Sequence, residues 1–194
     1  MSSLLFRKMC IRDRDGTEVS YEYDANGLLL RSTDENGNSY SYAYDKNGNM
    51  LTMTDPMGGV VTNEYDALGR VVKVTDQAGG ETLTVYDANG NIVSTTDALG
   101  NTVAYEYNAL NRVITTIDAR GNAARTEYDA NGNVSKVTNA DGGVITYEYD
   151  LLDRLVKTTD AEGNVTAYTY DNNGNQTGVT DGRGNTTGLS LIHI

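Results

Sequence analysis

A beat of 21 residues runs through this chain without insertion or deletion, and no other feature limits its fold as tightly. Tyr recurs at Tyr23, Tyr44, Tyr65, Tyr86, Tyr107, Tyr128, Tyr149 and Tyr170. It is followed by Asp24, Asp45, Asp66, Asp87, Asp129, Asp150 and Asp171, with Asn108 the one departure. Eight units of this length cover 168 of the 174 residues from Asp15 to Gly188. A chain built from identical short units leans each unit on its neighbours instead of gathering one central core. The composition fits that plan, since 14 Tyr stand against one Phe and no Trp, so a single residue type carries the aromatic area.

Each unit contains Asp-x-x-Gly twice, at alternate spacings of 10 and 11 residues. Asp at the start of a bend accepts hydrogen bonds from backbone N–H groups just ahead of it, and Gly at the fourth position supplies positive φ. Gly27, Gly48, Gly69, Gly90, Gly132 and Gly174 close the bends that follow Tyr. Asn108 and Asn139 keep an acceptor at the Asp position, and Asn111 and Asp153 replace Gly with residues that tolerate left-handed backbone. The spacing predicts type I turns with a bulge at the Gly.

Between bends lie six or seven residues rich in Val, Thr, Ile and Tyr, which is strand length and strand chemistry. In the longer segment Val103, Tyr105 and Tyr107, or Ile145, Tyr147 and Tyr149, fall two apart and share one face, while Ala104, Glu106, Thr146 and Glu148 take the other. That alternation predicts one buried face. The shorter segment, such as Val71 to Thr75, is mixed and assigns no face. The expected fold is all-β: tandem 21-residue hairpins forming a continuous, curved antiparallel strip of about 16 strands, each Tyr stacked over its counterpart two strands away.

Two terminal segments do not match the repeat. Met9–Arg14 and Leu189–Ile194 can be encoded by DNA strings that are reverse complements of each other, which resembles a sequencing adapter read in both directions. Residues 1–14 and 189–194 are therefore expected to be non-native, with residues 15–188 as the eight repeats. Finding the same codons inside an intact longer gene would remove that idea. The single Cys10 and the single His193 lie in these segments, so the repeats offer no disulfide and no Cys or His zinc site. Without the ends, 11 basic residues face 26 acidic ones, a formal charge of −15. Such a chain repels nucleic acid and anionic membrane surfaces, and neither is an expected partner. No apolar run approaches a membrane span, and no secretory leader opens the chain, so nothing in this stretch is expected to target or anchor it.

Tyr65-Asp66-Ala67-Leu68-Gly69-Arg70, with looser forms at Tyr107-Asn108-Ala109-Leu110-Asn111-Arg112 and Tyr149-Asp150-Leu151-Leu152-Asp153-Arg154, resembles the YD-repeat or Rhs-repeat family. The resemblance covers the whole of residues 15–188. It implies a fragment of a large secreted or cell-surface protein whose hairpins wind into a hollow shell. In bacterial members of the polymorphic-toxin type, the shell encapsulates a C-terminal toxin. Only the wall carries over to this stretch, because no self-cleaving core segment, protease motif or toxin sequence is present. The expected partner is then a cargo or toxin domain of the same parent polypeptide.

Sharper readings are weaker. Repeated acids suggest calcium, but neither the EF-hand spacing nor the nine-residue β-roll period is met, so no metal and no cofactor is expected. Glu106, Asp118 and Glu127 suggest glycoside hydrolysis, yet each has repeat-equivalent copies and none is singled out, so no catalytic residue and no enzyme activity is expected. Tyr42 with Tyr44, or Tyr168 with Tyr170, suggests a carbohydrate-binding or adhesion array, which is the alternative to the shell. The sequons at Asn133 and Asn164 are accidents expected of Asn-rich repeats.

Overall fold

The computed structural model describes residues 7–12 and 18–188. Six-residue strands end at the repeated Tyr: β2 (Glu18–Tyr23), β4 (Ser39–Tyr44), β6 (Val60–Tyr65), β8 (Glu81–Tyr86), β10 (Thr102–Tyr107), β12 (Ala123–Tyr128), β14 (Val144–Tyr149) and β16 (Val165–Tyr170). Five-residue strands follow them: β3 (Leu29–Thr33), β5 (Met50–Thr54), β7 (Val71–Thr75), β9 (Ile92–Thr96), β11 (Val113–Ile117), β13 (Val134–Thr138), β15 (Leu155–Thr159) and β17 (Gln176–Thr180). The sequence reading of 16 strands gains two, β1 (Arg7–Arg12) and β18 (Thr186–Gly188). All belong to a single open antiparallel sheet. β1 lies in a segment expected to be non-native, yet it pairs with β2 from Arg7↔Tyr23 to Arg12↔Glu18. A free strand edge accepts any extended segment through its backbone. Residues 1–6, 13–17 and 189–194 lie outside the described residues.

By its contacts the chain divides into two compact units, Met1–Tyr86 with Ser94–Thr102, and Asp87–Val93 with Val103–Ile194. In the first, β2 to β8 form a meander in which registered partners sort onto two faces. Glu22, Arg31, Thr33, Ser41, Thr52, Thr62, Glu64 and Lys73 share one. Tyr21, Ser32, Tyr42, Met53, Val61 and Val74 share the other, and no registered residue of that face is charged. The second unit repeats the pattern, with Arg125, Glu127, Lys136, Glu148 and Lys157 opposite Thr126, Val137, Ile145, Tyr147 and Tyr168. The charges on the polar face cancel locally: Lys73 lies 2.6 Å from Glu81, Lys136 2.8 Å from Glu127, and Lys157 2.7 Å from Glu148.

The expected alternation is present, but the expected burial is not. Among the described residues no apolar side chain is buried, and Thr115, at 6% exposure, is the one buried polar side chain. A single sheet has no second layer to cover its apolar face, so its Tyr and aliphatic residues remain half-buried by their neighbours along the sheet.

The short strands owe their mixed pattern to a bulge. In β4–β5 the register runs Ala43↔Thr52 and then Tyr44↔Met50, leaving Leu51 without a partner. β14–β15 does the same, with Glu148↔Lys157 followed by Tyr149↔Leu155 and Val156 left over. An extra residue in one strand breaks the period of two, which is why the alternation is not readable there.

Candidate functional site in the tyrosine and aspartate bends

Each bend is closed by two backbone bonds and one side-chain oxygen, which at all but the Asn108 bend belongs to a carboxylate. In the bend after Tyr44, Asp45 N–H donates to the Asn49 carbonyl at 2.9 Å and Gly48 N–H to the Asp45 carbonyl at 3.1 Å. Asp45 Oδ1 accepts the N–H groups of Asn47 and Asn49 at 2.8 and 2.9 Å, and Oδ2 accepts from Asn49 Nδ2 at 2.9 Å. Gly48 sits at φ +88°, where a Cβ is costly. The same pair of backbone bonds recurs at every bend from Asp24 to Asp181. The side-chain amide four residues on, and then the backbone N–H there, hold Asp45, Asp97, Asp118, Asp160, Asp171 and Asp181 below the usual carboxylate range.

One expected acceptor is replaced. Asn108 Oδ1 accepts from Leu110 and Arg112 N–H at 2.9 and 3.1 Å, as an Asp would. At Asn139 the N–H of Gly143 is instead taken at 2.9 Å by Asp141, because an ionised oxygen two residues nearer is the stronger acceptor.

The repeated Tyr does not stack on its counterpart. Two strand spacings separate them by about 10 Å, beyond the roughly 4.5–7 Å of a ring pair. Its hydroxyl reaches back across the sheet. Tyr65 donates to the Met50 carbonyl at 2.8 Å, Tyr86 to Val71 at 3.0 Å, Tyr107 to Ile92 at 2.7 Å, Tyr128 to Val113 at 2.8 Å, Tyr149 to Val134 at 3.0 Å and Tyr170 to Leu155 at 2.7 Å. Each acceptor is the first residue of a short strand, next to the bulge. The β5–β6 pairing stops at Thr52↔Thr62, so the Met50 carbonyl lies beyond its end, and Tyr65 takes the place of a backbone donor. Burial pushes the hydroxyls of Tyr44, Tyr107 and Tyr149 above the ordinary phenol range and keeps them protonated.

Guanidinium groups occupy the ring faces. Arg70 lies 4.5 Å from the Tyr86 ring, Arg112 4.4 Å from Tyr128 and Arg154 4.8 Å from Tyr170. Arg70 Nε donates to Asp66 Oδ2, and Arg154 Nε to Asp150 Oδ2, both at 2.7 Å. Arg112 faces Asn108 instead, and its buried Nε has no partner. Asn108→Asp should therefore raise stability by about 0.5–1 kcal/mol, the worth of one partly exposed, well-oriented pair. A urea midpoint that stays put or falls would count against this role for Arg112.

These arginines are 42 residues apart, so two hairpins make one full unit. The left-handed non-glycine residues follow the same spacing: Asn111 and Asp153, both at φ +57°. Each tolerates that strain while bridging to the preceding bend. Asn111 Oδ1 accepts from Asn89 and Asn91 at 3.1 and 2.8 Å, and Asp153 Oδ1 from Asn131 and Asn133 at 2.7 and 2.8 Å. The sequence carried a signal for this, because Arg70, Arg112 and Arg154 alternate at one repeat position with Asn49, Asn91, Asn133 and Asn175. Reading the period as 21 alone hides it.

The residues expected to mark the repeat thus lie together at the bends after Tyr: Asp24, Asp66, Asp87, Asp129, Asp150 and Asp171 open them, and Gly27, Gly69, Gly90, Gly132 and Gly174 close them with positive φ. Among the described residues no group of three or more His, Cys, Asp or Glu is placed to hold a metal ion, and no helix is long and apolar enough to cross a membrane.

A sequence model described as RHS Repeat matches residues 23–60, 44–82, 86–123, 128–165 and 152–186. Among solved structures, TcdB2-TccC3 is similar over 92% of this chain, with a TM-score of 0.69 and 16% identity. TcdB2-TccC3 without its hypervariable C-terminal region gives 0.68 over the same share, again at 16% identity. This chain spans 12% of the length of either. None of the curated proteins matches the chain in sequence.

Proposed function

Because the chain belongs to the RHS repeat family, whose model matches more than half of it, we propose that it is a stretch of wall in a larger secreted shell enclosing a polypeptide of the same parent protein. It serves as a structural repeat segment, without chemistry of its own. The observation that carries this reading is the sheet with no buried apolar side chain among its described residues. From β2 to β8, and again in the second unit, one face is uncharged at its registered positions and the other carries balanced Glu and Lys pairs, so the sheet would separate two different environments. The bends leave little slack for a protease, since each backbone closure is doubled by a side-chain oxygen, a carboxylate at all but the Asn108 bend. The likeness in fold to TcdB2-TccC3, one form of which is described as lacking a hypervariable C-terminal region, supports a parent protein with a wall and a separate variable segment.

Expression of the complete parent reading frame tests this. A non-repeat C-terminal segment should survive a protease dose that digests it when it is produced alone. Opening the wall with Tyr128→Ala and Tyr149→Ala together should restore its digestion. Equal digestion with and without the wall, or a reading frame that ends in a surface anchor with no cargo segment, would sink the proposal.

A further inference from the structure

We propose that four Asn-Gly bends, at Asn26, Asn36, Asn47 and Asn173, are sites of spontaneous isoaspartate formation, and that the side-chain bridges at Asn111 and Asp153 hold Asn89 and Asn131 back from the same reaction. All six pairs occupy the same place, immediately before or at the left-handed Gly of a bend. In the reaction the Gly nitrogen attacks the Asn side-chain carbonyl carbon. The new N–C bond forms, the bond from that carbon to Nδ2 breaks, and the Gly amide proton passes through solvent to Nδ2, which leaves as ammonia. Water then opens the cyclic imide to aspartate or isoaspartate.

The backbone treats the six nearly alike. Gly27, Gly37, Gly48, Gly90, Gly132 and Gly174 N–H each donate to the carbonyl three residues back at 3.0–3.2 Å. The side chains differ. Nδ2 of Asn89 donates to Asn111 Oδ1 at 3.1 Å, and Nδ2 of Asn131 to Asp153 Oδ1 at 2.7 Å. These bonds fix the amide on the far bend, and swinging its carbon toward the Gly nitrogen breaks them. Asn26, Asn36, Asn47 and Asn173 are exposed and their side-chain amides make no hydrogen bond among the described residues. Gly132 carries a further restraint, since its N–H also donates to Asp129 Oδ1 at 2.8 Å, which makes Asn89 the cleaner test of the bridge alone.

Conversion adds a negative charge at the bend, and the isoaspartate form adds a methylene to the main chain between the residues that make the closing bonds. The bends without a bridge would therefore age first and lose their closure first.

The folded chain is incubated at neutral pH and 37 °C, digested, and each Asn-Gly peptide is followed by mass spectrometry with chromatographic separation of isoaspartate. Asn26, Asn36, Asn47 and Asn173 should convert about five-fold faster than Asn89, the rate equivalent of one ordinary hydrogen bond. Asn111→Gly keeps the left-handed backbone, removes the acceptor, and should bring Asn89 up to the rate of the other four. The urea-unfolded chain should convert all six at one rate. Equal rates in the folded chain, or an Asn89 rate unmoved by Asn111→Gly in a protein that still melts cooperatively, would overturn the proposal.

Discussion

Tyr128→Ala is expected to cost about 2–4 kcal/mol, combining a large aromatic lost from a half-buried site with a carbonyl left without its donor. The ring supports Arg112 at 4.4 Å, and its hydroxyl serves the Val113 carbonyl at 2.8 Å beside the bulge. Tyr128→Phe separates the two contributions, keeping the ring and removing only the hydroxyl, and should cost about 1 kcal/mol. In a sheet whose units contact only their neighbours, the damage should stay local, so hydrogen exchange should accelerate in β11 to β13 well before β15 and β16. If Tyr128→Ala melts with the wild-type midpoint, or if Tyr128→Phe costs nothing, the hydroxyl-to-bulge contact is not what fixes the strands.

The second large effect is with pH. Asp45, Asp97, Asp118, Asp160, Asp171 and Asp181 titrate below the usual carboxylate range in the folded chain, first because the Asn side chain four residues on donates to them, and then because its backbone N–H does. A lowered folded value means that the stabilisation is complete above the unfolded value, about 3.9, and is lost as pH falls through the folded one. The melting temperature should therefore hold from pH 7 to about 5 and fall steadily below about pH 4. The tyrosines act in the opposite sense. Burial raises Tyr44, Tyr107 and Tyr149, so their contribution is complete below the unfolded value near 10 and is lost as pH rises through the folded one. The expected profile is a plateau with an acid limb and an alkaline limb. Melting temperatures that rise on acidification from pH 5 to 2.5 would mean that relief of the −12 net charge outweighs the bends.

The two effects have different legibility in the sequence. The Asp-x-x-Gly bends were readable because their bonds close within five residues, so the residues that make them are adjacent on the page. The long strands were readable for a similar reason, since Ile145, Tyr147 and Tyr149 fall two apart on one face, with Thr146 and Glu148 on the other. The bulge at Leu51 or Val156 was not, because nothing in a run of Val, Thr and Met says which residue the neighbouring strand will skip. Nor were the tyrosine contacts. A donor and acceptor 15 residues apart meet only after the intervening hairpin has formed and set their spacing, so a backbone carbonyl and an arginine stand where the bare repeat of Tyr suggests a second Tyr.

The repeat by itself determined the strands, the bends and the antiparallel order, because each follows from bonds between near neighbours and from backbone angles that Gly, Asn and Asp adopt at low cost. Only the tertiary structure decided what the two faces meet. Alternation places Tyr147 and Ile145 on one side, but burial needs a second layer, and a single sheet does not supply one. The same holds at the bends. Asn111 and Asp153 are legible as residues that tolerate left-handed backbone, whereas the reason each stands there, an oxygen aimed at two amides of the bend before, exists only once neighbouring hairpins lie side by side.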